Sequence, residues 1–421
     1  MRLRTLLRTA ALALGLAAPV EAQVTTPAPV SSRPGSEITV TLVTFGLGQE
    51  VFERFGHNGL RFQDAITGED DFYHWGLFSF EAPDFLARFL TGDNKYWMGR
   101  EAGLARIDYE RRAGRPITLQ KLNLTPTQAF ALRDFVRWNA REEHKFYRYD
   151  YFRDNCSTRL RDALDQALHG ALRAATEPKL TDITYRNESL RLTDGDKPVQ
   201  AGIDIALGRP ADVPITLWQS FFIPMRLRDA IRTVKNHDDN GAEMPLVASE
   251  MQVPLTPDAS PVPELSSPPT LIWRYLMLGL LLAALVVILR IMMLSRRSAA
   301  WGLALLGAGW SLLCGVIGVI LLLAWMATRH VFWASNENVL LLTPFSLFLV
   351  VLVPASILSN RFARPARMLA GFVAALGLLA LVLALIPGGE SNGAVVAMML
   401  PVHLALAWAL GLPRTLSARR A

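Results

Sequence analysis

The sequence predicts an exported α+β domain followed by an all-α bundle of about five transmembrane helices. Three observations predict it. The chain opens with an apolar run behind three arginines, and residues 38–235 have the mixed make-up of an ordinary globular domain. From Leu271 onward Leu, Ala, Val, Ile and Met dominate, which explains a hydrophobic content of 51% in a chain of 421 residues.

Residues 1–22 join a basic start (Arg2, Arg4, Arg8) to an apolar run from Thr9 to Ala18, then Val20-Glu21-Ala22 as a small-x-small site. The run is too short to span a bilayer, so it predicts a signal peptide cleaved near Ala22. Residues 23–36 (QVTTPAPVSSRPGS) read as a disordered Pro/Ser-rich leader. The globular domain is expected over 37–235. Glu37–Phe45 alternates like a strand, Gly46-Leu47-Gly48 breaks it, and 57–62 and 71–80 read as further strands. Helices are expected over 126–143 and 156–168, where Leu160, Ala163, Leu164, Ala167 and Leu168 share one face. Trp218, Phe221 and Phe222 fit either an amphipathic segment lying on a membrane or core aromatics. Residues 236–270, rich in Pro, Asp and Glu, read as a linker.

Spanning-length apolar stretches follow at 271–294, 301–327, 339–358, 368–387 and 394–412, within a transmembrane domain expected over 271–413. Arg296 and Arg297 follow the first, Arg361, Arg364 and Arg367 the third, and Arg414, Arg419 and Arg420 the fifth. The positive-inside rule puts these loops and the tail 414–421 in the cytoplasm and residues 23–270 outside. Arg290 lies near the cytoplasmic end of its segment, where it can snorkel. Residues 23–270 hold 29 Lys+Arg against 34 Asp+Glu. That acidic balance, without a basic run interleaved with aromatics, speaks against nucleic-acid partners.

Of the two cysteines, Cys314 sits in an apolar stretch, leaving Cys156 as an unpaired thiol in an oxidising compartment. Cys156 begins an expected helix with Asp154 or Asn155 as N-cap, and a helix N-terminus or a neighbouring imidazolium lowers a thiol pKa. This reads as a nucleophile; a buried structural cysteine is the alternative. His57, at the start of an expected strand after Gly56, is the candidate base, and His74 on the next strand is the candidate orienting residue. Asn58, Asn155 and Arg159 are the supporting candidates. His144 reads as solvated and His169 as a helix end. No metal or cofactor motif is present: neither HExxH nor a Cys/His cluster, P-loop or dinucleotide fingerprint occurs.

A strand histidine preceding an Asn-Cys at a helix start resembles the circularly permuted papain-like (NlpC/P60-like) enzymes, including the lecithin–retinol acyltransferase type. More closely, FGHNGLRF (55–62), YHWGLFSF (73–80), LQKLNLT (119–125), YRYDYFRDNCSTRLRD (147–162) and NENVLLLTP (336–344) resemble the Lnb family of bacterial lipoprotein N-acyltransferases. That pattern carries Asn where this chain has His74, although the permuted papain-like enzymes place a second polar residue on the next strand to orient the base, a place that His74 matches. The resemblance implies an inner-membrane thiol acyltransferase. Cys156 would take an acyl chain from a phospholipid, with His57 moving the proton, and pass it to the N-terminal amine of a lipoprotein. A membrane-anchored cysteine peptidase or peptidoglycan hydrolase, or a non-enzymatic envelope scaffold, are the other readings.

Overall fold

The computed structural model describes residues 33–412. The expected signal peptide, most of the leader and the cytoplasmic tail lie outside the described residues. The first half is built on seven antiparallel strands: β1 (Ile38–Phe45), β2 (His57–Asp64), β3 (Asp70–Leu77), β4 (Lys95–Ala102), β5 (Ile117–Leu122), β6 (Phe146–Arg148) and β9 (Val247–Val253), in the spatial order β6-β4-β3-β2-β1-β5-β9. A separate ribbon pairs β7 (Lys235–His237) with β8 (Glu243–Pro245). Helices α1 (Phe85–Thr91) and α2 (Gly103–Arg112) flank β4; α3 (Pro126–Asn139) and α4 (Cys156–Ala167) cover the sheet. Then follow α5 (Ala171–Thr176), α6 (Tyr185–Leu192), α7 (Lys197–Ala206), α8 (Leu217–Ser220) and α9 (Pro224–Ile231).

Period-two alternation sorts the side chains onto two faces. Val40 and Leu42 of β1, Leu60 and Phe62 of β2, and Tyr73 and Trp75 of β3 pack under α3 and α4 with Leu132, Val136, Leu160 and Leu164. Val43, Phe45 and Phe72 face the other way, toward Ile107 of α2. Trp218, Phe221 and Phe222 are buried, so the core reading holds and the membrane-surface reading fails. The expected linker 236–270 is also corrected: Val247–Val253 pairs with β5, from Leu122 opposite Val247 to Ile117 opposite Val253.

The second half holds α10 (Ile272–Met292), α11 (Arg297–Ala327), α12 (Ser346–Ser359), α13 (Ala363–Ala384) and α14 (Gly393–Gly411). Four are long and apolar enough to cross a membrane; α12, with 14 residues, is shorter. At 1.5 Å per residue it rises only about 21 Å of a roughly 30 Å hydrocarbon core. A 3₁₀ turn (Glu337–Leu340) and an irregular stretch, rather than α-helix, cover the start of the expected third span. Arg290 does not snorkel: it is buried, and its guanidinium donates to the carbonyls of Ala409 (2.9 Å) and Leu412 (3.3 Å), capping α14.

The two halves are joined by a buried polar knot. Arg186 donates to Asp204 (3.0 Å), Asp212 (2.8 Å) and Glu390 (3.2 Å). Asn338 donates to Glu390 at 2.9 Å, and Asn336 donates to the carbonyls of Ile205 and Ala206 at 2.9 Å each. Phe332 packs edge-on against Phe152 and Tyr185 beside this knot. The loops that touch the first half are those after α11 and α13, which lie between the basic loops that the charge pattern puts in the cytoplasm.

Candidate active site

Helix α4 begins at Cys156 because Asn155 caps it. The Asn155 carboxamide oxygen accepts from the amides of Ser157 and Thr158, both at 2.9 Å, and the Thr158 hydroxyl accepts from the Asn155 amide at 2.7 Å. The Asn155 amide group also donates to the carbonyls of Tyr151 and Phe222, tying the cap to the core. Asp154, the other cap candidate, instead holds Arg159 in a bidentate pair. Arg159 stacks over Tyr147, 3.9 Å from its ring centre, so it braces this segment. Asn58 bridges to α4 by donating to the Ser157 hydroxyl at 3.1 Å, while its buried Oδ1 has no partner.

Two glycines shape the thiol's surroundings. Gly56 (φ +74°) turns the chain into β2 immediately before His57. Gly76 (φ +94°) sits where β3 slips register against β4, between His74 and Leu77. A Cβ at Gly76 would lie 3.1 Å from that of Cys156, so the helix start seats directly on the bulge.

His57 and His74 lie on the α2 face of the sheet. His57 Nε2 and His74 Nδ1 are 2.8 Å apart, and His74 Nε2 lies 3.1 Å from the Glu101 carboxylate. The line continues from Glu101 to Arg106, from Arg106 to Glu110, and from Glu110 to Arg115 (2.9 Å), which donates to the carbonyl of Gly46. Loss of hydration on burial, then the charges of His74, Arg106 and Arg115, hold the His57 pKa well below its ordinary value. Burial likewise lowers that of His74, against the pull of Glu101. Both rings are therefore neutral near pH 7. Because Glu101 accepts a proton bond at His74 Nε2, His74 Nδ1 must accept one from His57 Nε2–H. The free lone pair of the dyad is then on His57 Nδ1.

Burial pushes the Cys156 thiol up to about 11, although the amides of Ser157, Cys156 and Asn58 and the charge of Arg115 pull it down. The expected depressed thiol pKa is not found; desolvation outweighs the helix terminus. The Asn58 amide acts on the thiol, which places Cys156 beside the residue that follows His57. Tyr96, Tyr147 and Tyr149 crowd the same space: burial raises each hydroxyl's pKa, and a charged Cys156 adds to the rise. Cys314 is remote, buried in α11, and both cysteines are free. His144 stacks on Trp138, and His169 follows α4 with φ 54°, so neither joins the site.

The residues absent from the sequence reading are Glu101, Arg106, Glu110 and Arg115. They come from β4, α2 and the turn after it, and no spacing motif marks them. The profile of the Lnb N-terminal periplasmic domain matches residues 31–188, and that of the Lnb transmembrane domain matches residues 270–410. The chain belongs to the Lnb family. Cys156, His57 and His74 all fall inside the matched Lnb periplasmic domain. No curated protein and no solved structure matches the chain significantly. As a member of the Lnb family it is a membrane protein, with an α+β periplasmic domain ahead of its helical bundle.

Proposed function

We propose that the chain is an inner-membrane acyltransferase moving an acyl chain from phospholipid, through a Cys156 thioester, to the N-terminal amine of a lipoprotein. The observation that carries this reading is a partly buried thiol at a helix start, on a domain knotted to an apolar bundle. It lies beside the backbone of Asn58, which directly follows His57 of a neutral, hydrogen-bonded histidine pair. A neutral thiol beside a neutral base favours proton removal during attack rather than a standing thiolate. The Cys156 sulfur adds to the ester carbonyl of a phospholipid as His57 Nδ1 takes the thiol proton. The Cys156 amide at the start of α4 is placed to donate to the developing oxyanion. Collapse breaks the ester C–O bond, His57 returns its proton to the departing alkoxide, and lysophospholipid leaves. The lipoprotein amine then attacks the thioester, His57 takes a proton from nitrogen, and the thiol is released protonated. His74 and Glu101 are positioning residues that fix the His57 tautomer.

Water competes with the amine at about 55 M, and positioning worth effective molarities of roughly 10⁵ M or more overcomes it. A signal peptide over 1–22 and the loop charges agree with a periplasmic domain anchored in the inner membrane. The test is full-length protein in lipid with phospholipid and a diacylated lipopeptide bearing a free amine. Equal amounts of N-acylated peptide and lysophospholipid are expected. Release of free fatty acid alone, or peptide-bond cleavage with lipid intact, would sink the reading.

A further inference from the structure

Helix α1 has the sequence FLARFLT and no buried residue. Leu86 and Leu90, one turn apart on the same face, are 65% and 58% exposed. Phe80 and Phe52 beside them are 64% and 54% exposed, and their rings touch at 6.2 Å between centroids. Single exposed apolar residues are ordinary, but a contiguous patch marks a binding surface. Its position says what covers it. The amide of Arg329 donates to the Thr91 carbonyl at 2.9 Å, His330 Nε2 donates to the Phe89 carbonyl at 2.9 Å, and Arg329 pairs with Asp93 at 3.0 Å. Arg329 comes two residues after the end of α11, where Trp325 and Met326 are also exposed. The patch is therefore tied to the point at which a span leaves the bilayer, the level at which amphipathic and aromatic residues meet lipid.

The patch also leads inward. Phe80 and Phe85 stand 5.1 Å apart, Phe85 and Phe78 6.0 Å, and Phe78 and Tyr96 5.0 Å. Tyr96 is one of the rings that crowd the thiol. A cavity of about 240 Å³ opens here, lined by Phe85, Tyr96, Trp97 and Phe146 among others. We infer that α1 and the Phe52–Phe80 cluster dip into the periplasmic leaflet and admit a lipid acyl chain along these rings to Cys156. The admission of the chain rests on the acyl-transfer reading above; the contact with lipid does not.

The full-length protein is placed in nanodiscs of phosphatidylethanolamine and phosphatidylglycerol, with Cys156→Ser and Cys314→Ala removing the native thiols. A fluorophore is attached at Leu86→Cys, Leu90→Cys or Ile66→Cys, the last an exposed apolar residue in the β2–β3 turn at the other end of the sheet. Nitroxide-bearing acyl chains are expected to quench positions 86 and 90 strongly and position 66 hardly at all. Equal quenching at all three overturns the membrane contact, as does energy transfer between two labelled copies without lipid quenching. In the native-thiol protein, Leu86→Glu with Leu90→Glu is expected to lose lysophospholipid release from bilayers while still cleaving a soluble short-chain ester. Unchanged release from bilayers overturns the admission route. Quenching at 86 and 90 without any lysophospholipid from wild type would overturn the reaction and support the contact.

Discussion

The partly buried network through His57, His74 and Glu101 and the buried knot around Arg186 both join carboxylates to guanidinium groups, yet they are built in opposite ways. From Glu101 to Arg115 the charges alternate singly, and the line ends on two neutral rings. Around Arg186 one cation faces three carboxylates: Asp204, Asp212 and Glu390. Burial raises the Asp204 pKa, and pushes Glu390 up to about 8. The first arrangement leaves a free lone pair at one end, which suits proton transfer. The second spends every donor of its arginine on closure, which suits docking. Burial of ionisable groups thus does not by itself identify a reactive site; the unfilled valence does.

The largest expected effect separates the two networks outright. Cys156→Ala removes lysophospholipid release and peptide acylation entirely, and His57→Ala lowers both by about 10²–10⁴-fold, with unchanged thermal stability. Normal turnover in either variant breaks the assignment of the first network to chemistry. Arg186→Met does the reverse. Removing the cation leaves its buried acidic partners Asp204 and Asp212 uncompensated and takes a donor from Glu390, at a cost of about 3–5 kcal/mol, read as a lower unfolding midpoint in detergent. An Arg186→Met protein of native stability but no activity would place chemistry at the knot.

Smaller effects sharpen the comparison. Glu101→Gln keeps a hydrogen-bonding side chain but loses the charge that fixes the His74 tautomer. A charge-assisted bond worth about 1.5–3 kcal/mol predicts a fall in kcat of roughly 10–100-fold, with KM unchanged; loss through KM alone would show that Glu101 does not act through His57. Alkylation of Cys156 should accelerate about tenfold per pH unit from pH 8 to 10, as expected for a thiol pKa near 11. A plateau across that range would reveal a thiolate–imidazolium pair instead. Arg159→Ala, which breaks a partly exposed pair with Asp154, should cost less than about 1 kcal/mol and leave turnover intact.

Much of this was legible. The strands carrying His57 and His74 announce themselves by alternation, and α4 by its apolar stripe, because both bury one face in a common core. A cap at Asp154 or Asn155 and the five apolar stretches follow from equally local physics; the choice of Asn155 needed the fold. Less legible was β9: Val247–Val253 is an edge strand with Ser249, Glu250 and Gln252 inside it, so no apolar alternation marks it. The thiol's raised pKa was also hidden. Around Cys156 the polar residues Asn155, Ser157 and Thr158 turn their polarity on one another and on the backbone, which local sequence does not show. The line through Glu101 is assembled from three separate elements, so only the folded chain brings it together.

The pairing of β9 with β5 sets an order of events. The sheet lacks its outer strand until residue 253 has reached the periplasm, and α10 begins only 19 positions later, at Ile272. The histidine strands emerge some 200 residues earlier and can pair with each other first. Sheet closure and entry of the first span into the bilayer therefore fall almost together during synthesis, so the domain completes itself at the membrane surface rather than free in the periplasm. A soluble fragment cut at Leu246 would expose the whole edge of β5 to other chains, whereas one cut after Pro254 would carry its own cover.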